Sequence, residues 1–279
     1  MKYLINTILF AGLCLSVDVL SIKLPVNAKS LSYTGYGIAT KNNYSLNPAT
    51  LSNSEKSYFE FSNNKWLFDV DGAYISYNDK NLKLSGYYWQ IDNIELYDEE
   101  PSSSPLGTFG SKTFFINFSQ GFKLKKAELG YSLGYTYMKL LEYTDKGVTL
   151  DLGYRQDINE STSMGLLIKN LNTGFKDDSQ IPQVITIGSS QKIKNIPIIL
   201  NLDLFYDEDK GSGSYQGVTF KKNRFDFTAG YRYYHEDEEL DIGLGFNLMW
   251  NNLEFSISTL LLENSSFKSP ISYQVSYLF

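Results

Sequence analysis

The sequence predicts an all-β chain, a closed antiparallel outer-membrane β-barrel of about 14 strands with an N-terminal lumenal plug. Three observations predict it. Apolar and polar residues alternate with a period of two from Tyr58 to Phe279. The alternating segments run to about ten residues, the length a tilted strand needs to cross hydrocarbon. Only the extreme N-terminus carries a long apolar run, so no helical membrane span is expected in the mature chain.

Composition agrees. A chain of 279 residues fits one domain. Hydrophobic residues reach 42% and aromatic residues 15%, yet mean hydropathy is −0.26, as expected when apolar residues are interleaved rather than blocked together. The net charge of −6 comes without a basic stripe, which gives no reason to expect nucleic acid as a partner. One cysteine, Cys14, and one histidine, His235, leave no material for a disulfide, a thiolate metal site or a histidine-based triad. Serines occur without a Gly-x-Ser-x-Gly elbow, and nothing places two carboxylates at hydrolase spacing. The chain therefore reads as a non-enzyme without a cofactor.

Residues 1–28 read as an export signal. A positive start at Lys2 precedes an apolar stretch from Tyr3 to Leu20 and a short end at Val26-Asn27-Ala28, with cleavage expected after Ala28 to within a few residues. Asp18 interrupts the apolar run. Cys14 follows Gly12-Leu13, where a lipoprotein signal would place a small residue. Residues 29–56 form a separate segment without a convincing strand, the candidate plug. Within it Asn47-Pro48-Ala49 can start a short helix, with Asn47 as cap and Pro48 at the first position.

The barrel is expected over 57–279, with strands at 57–63, 66–79, 81–91, 112–123, 126–138, 146–158, 162–172, 184–194, 197–207, 214–222, 225–235, 239–250, 252–262 and 270–279. The alternation is plain in Leu240, Ile242, Leu244, Phe246, Leu248 and Trp250, which interleave with Asp241, Gly243, Gly245 and Asn247. Alternate residues of a strand face opposite sides. One face is thus aliphatic and aromatic, and the other small, polar or charged. Short turns are expected near Asn78-Asp79-Lys80, Leu124-Lys125, Asn159-Glu160-Ser161, Asn195-Ile196, Asn223 and Asn251. Longer connections are expected near 92–111, 139–145, 173–183, 208–213 and 263–269, an order that fits a chain starting and ending in the periplasm. In lipid an unpaired strand edge costs several kcal/mol per backbone group, roughly, so such a sheet has to close. The last strand alternates Ile271, Tyr273, Val275, Tyr277 and Phe279 with Ser272, Gln274 and Ser276. It resembles the C-terminal signal read by the barrel-assembly machinery, with Tyr277 and Phe279 as its aromatic end. Outer-membrane lipid and that machinery are the expected partners.

The expected inward face carries Asp69, Asp71, Glu128, Asp151, Arg155, Asp203, Asp226, Arg232, Asp241 and Glu254. These residues either line a channel or pair across strands and hold the plug; pairing is the simpler reading. Tyr87, Trp89 and Tyr234 fall on the inward register and are the aromatic candidates for a ligand. Asp207-Glu208-Asp209-Lys210-Gly211 lacks the full set of calcium-loop ligands and reads as a solvated loop. His235-Glu236-Asp237-Glu238-Glu239 reads as a charged loop tip.

Several short motifs carry a resemblance. Tyr36-Gly37-Ile38-Ala39 followed by Asn47-Pro48-Ala49-Thr50-Leu51 resembles the N-terminal signature of FadL-like barrels, including the PorV/PorQ family. Gly107-Thr108-Phe109-Gly110-Ser111, Asp151-Leu152-Gly153-Tyr154 and Gly165-Leu166-Leu167-Ile168-Lys169-Asn170-Leu171 resemble later segments of that family. Ile181-Pro182, Ile187-Gly188 and Asn195-Ile196-Pro197-Ile198 resemble its Pro-bearing strand starts, more in the manner of PorQ. The usual Ala-rich stretch is replaced by Thr40-Lys41-Asn42-Asn43, and the chain is short for PorV or PorQ. The resemblance implies a fourteen-stranded barrel with a lumenal plug. It implies either an accessory role in type IX secretion, acting through secretion-system proteins, or a FadL-like passage for hydrophobic small molecules.

Overall fold

The computed structural model describes residues 24–41, 46–54, 56–66, 70–97, 105–176, 180–262 and 269–279. Fourteen strands close into one antiparallel barrel: β1 Tyr58–Lys65, β2 Asp71–Asp79, β3 Leu82–Leu96, β4 Gly107–Leu124, β5 Ala127–Leu140, β6 Tyr143–Asp157, β7 Thr162–Thr173, β8 Val184–Lys192, β9 Ile198–Asp207, β10 Gly211–Lys222, β11 Phe225–Tyr234, β12 Glu239–Trp250, β13 Leu253–Leu262 and β14 Ile271–Leu278. Every strand pairs with its sequence neighbour. The ring is shut by β1 on β14, in a register that runs from Tyr58 opposite Leu278 to Lys65 opposite Ile271.

Burial is inverted relative to a water-soluble sandwich. Each strand exposes at least one large apolar side chain: Phe61, Ile75, Leu84, Phe118, Leu133, Leu152 and Leu166 on the first seven strands. Ile187, Leu202, Val218, Phe227, Phe246, Ile257 and Val275 do so on the rest. The buried positions between them are largely Ser, Thr and Asn, among them Ser62, Ser119, Thr149, Thr186, Asn201 and Thr228. Cross-strand pairs knit the exposed set into a continuous belt, as in Phe61 opposite both Ile75 and Val275, and Phe118 opposite both Leu84 and Leu133. An apolar surface of that extent is far beyond what a soluble monomer exposes and requires lipid or another apolar cover.

The strands differ from the sequence reading mainly at one end, called here the upper end. β3 and β4 run on beyond the expected limits to Leu96 and Gly107, past a bulge at which Ile91 pairs with Ser111 but Ile94 with Phe109. The connection expected at 139–145 reduces to Leu141-Glu142, with Leu141 at φ 53°, and that expected at 208–213 reduces to 208–210. Hydrogen-bonded hairpins continue past the apolar belt because ladder pairing does not depend on lipid. Polar sequence therefore does not mark the strand end there. The expected second strand begins at Asp71 rather than 66, and Asp69 lies outside the described residues. Asp71 shares the outward register of Ile75 and Tyr77. It is exposed and paired with Lys65, so it does not belong to the lumenal set. The lower end carries the tight turns, several with left-handed residues at Lys80, Lys125, Asn223 and Asn251, together with Phe279.

The N-terminal segment lies inside the barrel. α1, Ala28–Ser32, packs on β11 to β14, and a 3-10 helix, Pro48–Asn53, packs on β4 to β6. Asn27 caps α1 through a reciprocal pair with Ser30: its Oδ1 accepts the Ser30 N–H at 2.8 Å, and Ser30 Oγ accepts the Asn27 N–H at 3.1 Å. Asn27 and Ala28, which the sequence reading places in the leader, are fully buried in the lumen.

Candidate functional site

The lumenal segment fits because the wall opposite it lacks side chains. Inward glycines stand where the segment passes: Gly121 meets Leu51 and Ser52, Gly130 meets Pro48 and Ala49, and Gly153 meets Asn47. Gly165 meets Ala39, Gly188 meets Ile38, and Gly243 meets the carbonyls of Leu31 and Ser32. A Cβ built at Gly243 would lie 2.8 Å from the Ser32 carbonyl oxygen, closer than such atoms ever approach. The pairings Gly121–Gly130, Gly130–Gly153 and Gly165–Gly188 set these gaps side by side across neighbouring strands.

Polar groups then fix the segment in place. Asn47 Oδ1 accepts the Ala49 N–H at 3.0 Å and caps the 3-10 helix that Pro48 and Ala49 begin. Its Nδ2 donates to the carbonyls of Ile38 and Tyr154 at 3.1 and 3.2 Å, bridging two turns of the segment to β6. Asp203 Oδ2 accepts the backbone N–H groups of Gly37 and Ile38 at 2.6 and 3.1 Å. Arg155, 1% exposed, donates from Nε to the Ala39 carbonyl at 2.8 Å and forms ion pairs with Glu128 at 2.7 Å and Asp157 at 2.6 Å. Lys41 pairs with Asp157 at 3.1 Å and Lys29 with Glu254 at 2.8 Å. Arg232 pairs with Asp241 and donates to the Thr34 carbonyl at 3.2 Å.

The expected inward charges thus divide. Asp203, Arg155, Glu128, Arg232, Asp241 and Glu254 hold the segment directly or hold a residue that does. Asp226 instead pairs with Lys221 at 3.0 Å and faces the lower cavity. Asp151 sits in a bulge between β6 and β7, where its Oδ1 accepts the Asn170 N–H at 2.9 Å, and it faces the upper cavity. Tyr277 and Phe279 lie outside the barrel at its lower rim, where Phe279 stacks with Tyr77 at 6.2 Å between ring centroids.

Among the described residues, one cavity lies below the segment and one above it. The lower one has a volume of about 530 Å³ and a charged lining that includes Lys29, Lys41, Lys56, Glu60, Asp226 and Glu254. The upper one has about 150 Å³. It lies between two aromatic clusters, Tyr74, Tyr87, Trp89 and Phe115 on β2 to β4, and Tyr36, Phe205, Tyr215 and Tyr234 on the opposite side. Tyr87 stacks on Phe115 at 4.8 Å and Tyr36 on Phe205 at 4.3 Å. Burial, with Tyr234 alongside adding to the effect, raises the Tyr36 phenol well above its ordinary value, so it stays a neutral hydroxyl. Lys83, Asp151, Lys169 and Arg232 supply polar points on the same wall. Of the three aromatic candidates read from the sequence, Tyr87 and Tyr234 line this cavity and Trp89 packs behind it.

Sequence reasoning missed Tyr74 and Phe115, which share the inward register with Ser76 and Thr113 and were readable by strict alternation. It also missed the buried pair Lys83–Glu60, 3.6 Å apart. Glu60 accepts from Ser76 at 2.7 Å and from Gln274 at 2.9 Å, tying β1 to both neighbours at the closing seam.

Closure, inverted burial and an internal N-terminal segment define a membrane-type β-barrel with a divided lumen. No family model matches the chain, and no curated protein matches it in sequence. Solved structures do resemble it in backbone. The Pseudomonas putida toluene transporter TodX is similar at 12% identity with a TM-score of 0.64, over 89% of this chain and 96% of that one. The CymD monoaromatic hydrocarbon channel is similar at 12% identity with a TM-score of 0.62, over 91% and 97%. At such identity the likeness is one of fold.

Proposed function

We propose that this chain is a FadL-like outer-membrane passage for hydrophobic small molecules, with residues 29–56 acting as its plug. One observation carries the reading: a cavity walled by two aromatic clusters rests directly on the lumenal segment. About 150 Å³ is room enough for a single benzene-sized ring. The aromatic walls supply apolar area, and the charged groups that share the lining, Lys83, Asp151, Lys169, Asp207 and Arg232, supply orientation. The fold likeness to two hydrocarbon channels supports the same reading. The exposed belt supports a place in lipid, and the aromatic end at Tyr277 and Phe279 supports assembly by the outer-membrane machinery. The chemistry needed is binding and release, with no bond made or broken.

The test is equilibrium binding of radiolabelled toluene to the detergent-purified barrel. Saturable binding that Phe115→Ala weakens supports the reading; binding no greater than to detergent micelles alone overturns it.

A secretion role of PorV/PorQ type is the second reading, supported by the resemblance of Ile181-Pro182 and Asn195-Ile196-Pro197-Ile198 to PorQ-type strand starts. It requires protein partners. Isolation of the native complex separates the two, because a partnerless barrel that binds toluene fits only the first.

A further inference from the structure

We propose that the mature chain keeps Leu24–Ala28, and that its leader is removed by hydrolysis of a peptide bond N-terminal to Leu24 rather than after Ala28. The inference rests on reading the N-terminus as an export leader, and is independent of what the barrel carries.

Val26-Asn27-Ala28 has the spacing of small residues that a signal peptidase reads, but in the folded barrel it is structural. Asn27 and Ala28 are 0% exposed. Asn27 is the N-cap of α1, and its carbonyl accepts both the Leu31 N–H and the Ser30 hydroxyl, each at 2.9 Å. Val26 offers its carbonyl to Asn64 Nδ2 at 2.9 Å, joining the segment to β1. Leu24 and Val26 pack against Val70, Tyr74, Tyr87, Trp89 and Phe115, so they close one side of the upper cavity.

Hydrolysis adds one water across the bond, leaving a carboxylate on the leader and a new α-ammonium on the mature chain. Cutting after Ala28 would put that ammonium on Lys29 inside the lumen. It would also strip the acceptors from the Ser30 and Leu31 N–H groups and from Asn64 Nδ2. Buried donors without acceptors oppose folding. A cut upstream leaves every one of these contacts intact. Cys14-Leu15-Ser16, within the apolar stretch from Tyr3 to Leu20, has the same small-x-small spacing.

The test is N-terminal sequencing and intact mass of the full chain, expressed with its own leader and recovered folded from an outer-membrane fraction. The expected first residue lies between Cys14 and Leu24. A first residue of Lys29 overturns the proposal, and so does a chain that retains Met1. A second variant removes any dependence on folding. Ala28→Gln blocks a signal peptidase at Ala28, so its mass is read on total membranes before barrel assembly is scored. Processing as efficient as in the parent supports the upstream cut, and accumulation of the full-length precursor overturns it. Toluene binding is measured separately on the purified barrel, so failure here is distinguishable from failure of the proposed function.

Discussion

A Cβ added at Gly153 would fall on Oδ1 of Asn47, so β6 admits the lumenal segment only because that position has no side chain. The same holds at Gly130, where a Cβ would overlap the Pro48–Ala49 peptide. Gly153→Ala and Gly130→Ala are each expected to destabilise the barrel by about 1–3 kcal/mol through overpacking, and to make residues 29–56 protease-sensitive. Gly107→Ala is the control, because nothing lies within 4 Å of a Cβ there and it should be near neutral. Urea unfolding in lipid vesicles, with limited proteolysis alongside, measures both effects.

Arg155 and Glu128 form a pair that is almost wholly buried. Arg155→Leu strands the buried Glu128 carboxylate and should cost about 3–5 kcal/mol, whereas Glu128→Leu leaves Arg155 paired with Asp157 and should cost less. The double variant Glu128→Leu/Arg155→Leu should cost less than the sum of the two. A double-mutant cycle on unfolding midpoints checks this, and simple additivity would mean that the pair is not coupled.

Asp203 takes two backbone N–H groups of the segment onto one oxygen. Asp203→Ala takes this acceptor away from both, at roughly 1–3 kcal/mol each. The expected outcome is faster amide exchange at Gly37 and Ile38 with the barrel still closed. Exchange unchanged at those two amides would contradict the assignment.

How far the sequence made this legible depended on which signal each feature left. Alternation placed nearly all of the strands, because every strand has lipid-type residues on one parity and Ser, Thr or Gly on the other. It failed for Asp71, where a charged residue sits on the outward parity beyond the apolar belt and is satisfied by Lys65. It also failed to mark strand ends above the belt, where ladder hydrogen bonds continue without hydrophobic patterning. The inward charges were read as candidates, but their partners were not, since Asp203 and Arg155 bind backbone groups of Gly37, Ile38 and Ala39 that carry no sequence signature. Glycines on the inward parity were visible as small residues. Their role as the seat of the segment required knowing which strand faces which turn.

The apolar belt makes its own prediction. Leu202→Arg places a charge at the middle of the outward face of β9 and should cost about 2–4 kcal/mol in a bilayer. Ser190→Arg, on the inward face of β8, should not show that lipid-dependent penalty. Comparing unfolding of both variants in vesicles of different acyl length reads the difference.

The cavity's role is tested most directly by uptake. Cells lacking other hydrocarbon channels, expressing this chain in their outer membrane, should take up labelled toluene faster than vector controls. Phe115→Ala, which removes the ring stacked on Tyr87, should reduce the saturable component by roughly two- to tenfold, as expected for loss of about 0.5–1.5 kcal/mol of ring contact. Uptake equal to the vector control, with the barrel folded in the membrane, would contradict the proposed passage.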